Sequence, residues 1–88
     1  MNSVTGLWID KNILSDKGLN FCEKIVYAII FSLSKENGYC YCTNDYISNI
    51  ISVSTGRVGK CIGTLENKKY IEITKEKNTR ILTPKKHF

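Results

Sequence analysis

The sequence offers little that catalysis could use. Its one histidine is His87, next to the C-terminus. Its eight acidic residues are scattered, and no serine or cysteine falls beside a general base in any arrangement of the elements predicted below. The phosphate-loop pattern G-x-x-x-x-G-K-[ST] is missing, because Gly56, Gly59 and Gly63 lack its spacing and follow no strand. Cys40 and Cys42 form a C-x-C pair, but with one distant histidine they lack zinc-site spacing. No catalytic residue, no metal and no cofactor are expected, so the chain is read as a non-enzyme. Long apolar runs are missing too. The longest, IVYAIIF at 25–31, falls far short of the roughly 20 residues that span a bilayer. The N-terminus shows no basic region followed by an apolar stretch, which excludes a signal peptide. A cytoplasmic protein with no membrane partner and reduced thiols is expected. There is no internal repeat and no low-complexity segment.

What is present is one small domain, 1–88, with residues 84–88 as a basic tail. A chain this short buries roughly 60% of its unfolded surface. That favours a binding module, or a domain that gains stability by pairing, over a catalytic cavity. The charge is one-sided. Residues 1–50 hold four lysines against five acids, net −1, whereas residues 51–88 hold nine basic residues against three acids, net +6. A cationic C-terminal part is a common footprint of a phosphate-facing surface. Abundant Ile, Lys and Asn match the bias of an AT-rich coding sequence, as in a low-GC bacterium or its phage.

Periodicity and capping signals predict the elements. Residues 6–14, GLWIDKNIL, read as a short extended lead-in with Trp8 or Ile9 anchored on the core. Asn20 and Glu23 form a capping box ahead of a helix over 21–36. Phe21, Ile25, Ile29 and Leu33 line its apolar stripe, and Val26, Ile30 and Phe31 widen it. Asn37-Gly38 stops it. YCYCT reads as a short strand with Cys40 and Cys42 on one face and Tyr39 and Tyr41 on the other. Thr43 caps a second helix with Tyr46, Ile47, Ile50 and Ile51 on its apolar face. After the turn SVS, Ser54 caps a third helix, TGRVGKCIGTLENKK. Cys22 and Cys61 fall within helices near the core. YIEITKE, KN and TRILTP form a β-hairpin that Pro84 ends.

This order is an α+β winged helix-turn-helix: three helices, a small antiparallel sheet and a hairpin wing. LNFCEKIVYAIIFSL, NGYCYCTNDYISNIISVSTGRVGKCIGTLENKKYIEI and TRILTP carry a resemblance. The chain resembles, from Trp8 to Pro84, the winged-helix domain of low-GC phage and plasmid replication-initiator or replisome-organiser proteins. The resemblance implies double-stranded DNA binding through the third helix and the wing. Two departures stand out. The C-terminal part of replication initiators is missing, so a stand-alone binder or an excised domain is expected. Glycines occupy positions where that family carries bulky polar residues.

On a helical wheel Val58, Cys61, Ile62 and Leu65 share the core face of the third helix. Lys60 and Asn67 lie opposite, Arg57 and Thr64 form one flank, and Gly56, Gly59 and Gly63 form the other. Arg57 and Lys60 sit in the first two turns, the part of a recognition helix that enters the major groove. Arginine bonds guanine O6 and N7 in bidentate fashion, and lysine does the same or neutralises phosphate. Thr55 and Thr64 suit either kind of partner, and the amides from Ser54 to Gly56 favour an anion. In the wing, Lys75, Lys77, Asn78 and Arg80 are the candidate backbone or minor-groove contacts. Lys85 and Lys86 are further phosphate candidates.

Each helical glycine costs up to about 1 kcal/mol against alanine, which makes Gly56, Gly59 and Gly63 a candidate close-approach surface. Either the glycines reflect drift with no partner, or the surface meets the DNA backbone or the same helix of a second subunit. The latter is similar to the centromere-binding adaptors of tubulin-like plasmid and phage partition systems, small winged helices that dimerise. The expected function is therefore DNA binding at a replication or partition locus of a phage or plasmid, as a homodimer, with a replication or partition protein as a candidate partner. The alternative is a protein–protein interaction module that has lost specific DNA readout.

Overall fold

The computed structural model describes Leu7 and residues 9–85, which form four helices and a two-stranded antiparallel sheet. In chain order these are α1 (Lys11–Leu14), α2 (Phe21–Leu33), α3 (Asn44–Ile51), α4 (Thr55–Asn67), β1 (Ile71–Glu76) and β2 (Thr79–Pro84). The layout is a winged helix-turn-helix. Trp8, Lys86 and His87 lie outside the described residues.

The lead-in contains a helical turn. Asp10 accepts a hydrogen bond from the Asn12 amide at 2.7 Å and starts α1, and the turn drives Ile13 to full burial. Ile13 is thus an anchor that an extended reading of 6–14 does not find, and Leu7 and Ile9 pack at the core margin. The chain then turns at Asp16, which accepts from the Gly18 amide at 2.8 Å and from the Tyr70 hydroxyl.

The predicted capping box closes α2 in both directions: Glu23 N to Asn20 Oδ1 at 2.8 Å and Asn20 N to Glu23 Oε1 at 2.9 Å. The helix stops at Leu33, three residues before the periodic pattern does. The buried Ser34 hydroxyl bonds back to the Ile30 carbonyl at 2.6 Å, and Gly38, at φ +85°, donates to the Ser34 carbonyl at 2.7 Å. Val26, Tyr27, Ala28, Ile29 and Ile30 are buried, making α2 the central helix. Phe21 is not core: it is 67% exposed, because the first turn of α2 overhangs the packed layer.

Thr43 and Ser54 cap α3 and α4 as their positions predict, at 3.1 and 3.2 Å. On α3 only Ile47 is fully buried, while Tyr46 and Ile51 are half-buried and Ile50 is exposed. Helix α4 ends in a Schellman motif, with Tyr70 N donating to Leu65 O at 2.9 Å and Lys69 N to Glu66 O at 3.0 Å. Lys69 holds the left-handed position at φ 66°. The expected strand over 39–42 shrinks to one bridge, Cys40 with Leu82, whose two backbone bonds are both 2.9 Å. The chain leaves the sheet after that bridge because Thr43 has to start α3. The core gathers Ile13, Leu19, Ile29, Ile30, Ile47, Val58, Ile62, Leu65, Ile71 and Leu82 from all these elements.

Candidate nucleic-acid interface

The α3–turn–α4 unit is held by its own polar groups. Ser52 ends α3 in the left-handed conformation, φ 59° and ψ 41°. The Ser48 hydroxyl donates to the Val53 carbonyl across the turn. Inside, α4 buries Val58, Cys61, Ile62 and Leu65, the four residues its periodicity singles out, at 3% exposure or less. This locks the rotation of the helix and so determines which residues face away.

Thr55, Gly56, Arg57 and Lys60 are exposed on the first two turns, and Thr64 is half-buried on the third. Ser54 is exposed, but its hydroxyl oxygen is occupied by the Arg57 amide at 3.2 Å. Arg57 also lines the rim of a shallow apolar groove with Phe21, Cys22, Ile25, Ile51 and Val53. Lys60 therefore faces outward more fully, and Arg57 stands between the outer face and α2.

The three glycines separate into two kinds. A Cβ built on Gly56 or Gly63 meets nothing within 4 Å. One built on Gly59 comes within 3.3 Å of Asn44 Nδ2 at the start of α3. Gly59 thus faces the Asn44 side chain of α3, whereas Gly56 and Gly63 face open space. The Asn44 Oδ1 atom at this junction is buried without a hydrogen-bond partner among the described residues.

The wing pairs in register from Ile71 with Pro84 to Glu76 with Thr79. Its two-residue turn is Lys77-Asn78, at φ 51° and 67°. Positive φ at both positions is the primed turn that matches strand twist, and it ordinarily selects Asn-Gly or Asp-Gly. A lysine at the first position is strained, so the wing tip keeps a cation at some cost in stability. Lys75, Lys77 and Asn78 are exposed. Arg80 is half-buried and partly committed, since its Nη2 donates to the Cys42 carbonyl at 2.8 Å and ties the wing to the segment before α3. Lys85 pairs with Glu72 at 3.3 Å, a half-exposed ion pair of the kind worth about 0–1 kcal/mol.

Sequence reasoning placed Cys22 and Cys61 in helices near the core and Cys40 and Cys42 on one face, but did not find how close the members of each pair lie. Cys22 and Cys61 lie 3.4 Å apart at sulfur, and Cys40 and Cys42 lie 3.3 Å apart. Burial, then the hydrogen bond to Cys22, pushes the Cys61 thiol up to about 12. Tyr41 is a further exposed aromatic, 53% accessible, in a groove between the wing and the start of α3 with Thr43, Asn44, Asn78 and Arg80. The alternation of YCYC is the signal that turns it outward. Among the described residues no three metal-ligating side chains cluster, and no helix is long and apolar enough to cross a membrane.

Residues 17–71 match the family model of a helix-turn-helix domain, a span that contains α2, α3 and α4. No curated protein matches the chain. With more than half of its length under that match, the chain belongs to the helix-turn-helix domain family.

Proposed function

We propose that this domain binds double-stranded DNA, with α4 in the major groove and the β1–β2 wing on the backbone. The observation that carries the reading is the outer face of α4. Its inner residues are buried to 3% or less, while Thr55, Gly56, Arg57 and Lys60 are exposed on its first two turns. A helix that presents a cationic N-terminal half is the geometry by which this motif reads base edges. The cations of the wing, Lys75 and Lys77, extend the positive surface in a second element. Family membership supports DNA binding in general. The resemblance to phage and plasmid initiators, and the similarity to partition adaptors, support a role at a replication or partition locus with two copies bound together.

Fluorescence anisotropy of a labelled duplex, titrated at several salt concentrations, tests this. Replacing Arg57 and Lys60 by alanine should weaken binding and flatten its salt dependence, with the far-UV circular dichroism unchanged. Equal affinity and equal salt dependence in the double variant would overturn the reading.

A second reading has its own observation. Gly56 and Gly63 leave open backbone on α4, and the groove of Phe21, Ile25, Ile51 and Val53 adds apolar surface nearby. A protein-binding module would use that surface. It predicts weak, sequence-independent DNA binding that disappears at moderate salt.

A further inference from the structure

The Cys40–Cys42 pair sits where three parts of the fold meet. Cys40 is pinned to β2, donating to and accepting from Leu82 at 2.9 Å. Cys42 gives its carbonyl to Arg80 of the wing at 2.8 Å. The next residue, Thr43, is the N-cap of α3. The two sulfurs lie 3.3 Å apart on one face, and an open groove lined by Leu33, Tyr39, Cys40, Tyr41, Cys42 and Tyr46 leads to them.

We propose that Cys40 and Cys42 form a dithiol that hydroperoxides oxidise to a disulfide, and that this closure shifts the joint between the wing and α3. The Cys40 thiolate attacks the terminal oxygen of the hydroperoxide. The O–O bond breaks, the alkoxide leaves and takes up a proton as the alcohol, and Cys40 becomes a sulfenic acid. The Cys42 sulfur then attacks the Cys40 sulfur. The S–O bond breaks, and the leaving hydroxide takes the Cys42 proton as water. The two sulfurs give up two electrons in total, and the hydroperoxide accepts both.

Cys40 is the attacking group. Its thiol is held below the ordinary cysteine value chiefly by the hydrogen bond from Cys42, with help from the positive charge of Arg80, while Cys42 is held above that value by the same hydrogen bond and by burial. Each pair joins one buried thiol, Cys40 or Cys61, to one half-buried thiol, Cys42 or Cys22. The pairs differ in setting: Cys22 and Cys61 are each borne on a helix, α2 or α4, whereas Cys40 and Cys42 lie on one short non-helical segment that faces the groove.

Geometry dictates the consequence. Residues i and i+2 of an extended chain are about 6.6 Å apart at Cα. That is the upper end of the roughly 4.4–6.8 Å span disulfides accept. The sulfurs, 3.3 Å apart, must close to about 2.05 Å, which draws Cys40 and Cys42 together across Tyr41. Cys40 is fixed by its bridge, so Cys42 moves, and it takes with it the carbonyl that holds Arg80 and the cap of α3. Any effect on DNA rests on the reading above, but the oxidation and the shift do not.

The test uses the full chain, reduced and then treated with hydrogen peroxide, without DNA. Intact mass should fall by two hydrogens. No lysine or arginine lies between Lys35 and Arg57, so the new bond should map within the single tryptic peptide 36–57. Cys42→Ser should instead accumulate a sulfenic acid on Cys40 that a cyclic 1,3-diketone traps. The Thr43 amide and Arg80 Nε signals in nitrogen-15 spectra should shift on oxidation and return with dithiothreitol. A disulfide joining Cys22 to Cys61, no mass loss at peroxide that oxidises free cysteine, or a Cys40–Cys42 bond that leaves both signals in place would each overturn the proposal.

Discussion

Helices α2 and α4 have the same length, 13 residues, and lie packed together in the same core, yet they are built for different ends. Helix α2 buries five consecutive residues, Val26 to Ile30, and starts with a complete capping box. It contains no glycine. Helix α4 buries four residues along one narrow face and carries three glycines on the rest. Two of those, Gly56 and Gly63, have open space where a side chain would sit. Helix α2 mainly builds the core, and only its first turns, through Phe21, Cys22 and Ile25, border the groove beside Arg57. The other carries glycines on the flank away from Arg57, each at a local cost of up to about 1 kcal/mol against alanine.

The largest test of this contrast is in the core, where the two helices should behave alike. Leu65→Ala on α4 and Ile29→Ala on α2 both empty fully buried sites and should each cost about 2–5 kcal/mol in chemical denaturation. A much smaller loss at Leu65 would mean that α4 is only loosely docked. On the outer face the helices should part. Arg57→Ala and Lys60→Ala should each weaken DNA binding by about 1–3 kcal/mol when they contact a base. Their effect on stability should stay within about 0.5 kcal/mol, as for surface substitutions in general. Titration calorimetry beside thermal melts separates the two effects.

Glycine replacement sharpens the comparison further. Gly56→Ala and Gly63→Ala should each raise stability by about 0.5–1 kcal/mol, since a new methyl meets nothing. Gly59→Ala should gain less or lose, because its methyl presses on Asn44 at 3.3 Å. Loss of DNA affinity in the first two variants, with the fold stabilised, would show that the open backbone itself is a contact. The wing allows the same comparison on a smaller scale. Lys77→Asn relieves a left-handed lysine at φ 51° and should stabilise the hairpin by a few tenths of a kcal/mol or more while weakening DNA binding. A melt and a binding isotherm on the same sample would check both signs.

These contrasts also mark how far the sequence could be read. Local signals were legible: Asn20 with Glu23, Thr43 and Ser54 act within one helical turn, and the inward face of α4 follows from spacing alone. The Lys77-Asn78 turn was legible because the strands around it are regular. Features set by distant parts of the chain were not. Phe21 fits the apolar stripe of α2 perfectly well, but whether anything covers the first turn depends on the placement of α1 and α3. The contact of Gly59 with Asn44 depends on how closely α3 and α4 approach. The bond from Arg80 to the Cys42 carbonyl spans 38 residues, and that from Tyr70 to Asp16 spans 54. Of the candidate DNA contacts, the sequence supplied residue type and face. Only the structure distinguishes Lys60, which makes no hydrogen bond or ion pair among the described residues, from Arg80, which braces the wing.

The smallest expected effect concerns pH. The Tyr70 hydroxyl bonds to Asp16, which holds the Asp16 carboxyl below its ordinary 3.8 and pushes Tyr70 up to about 12. The Asp16 contribution is present above pH 3.8 and fades as pH falls below it. The Tyr70 contribution is present below pH 10 and fades as pH rises from about 10 toward 12. Tyr70→Phe should flatten both limbs of the stability profile, and unchanged limbs would remove this bond from the account.

The central claim is that the outer face of α4 reads DNA. Selection from a random duplex library at about 0.15 M salt, run in parallel with the wild type and the Arg57→Ala/Lys60→Ala variant, tests it most directly, because non-specific binding is already weak there. The wild type should enrich a short motif, repeated as two half-sites when two copies bind together, and the variant should enrich none. No enrichment by the wild type, or the same motif recovered with both proteins, would contradict it.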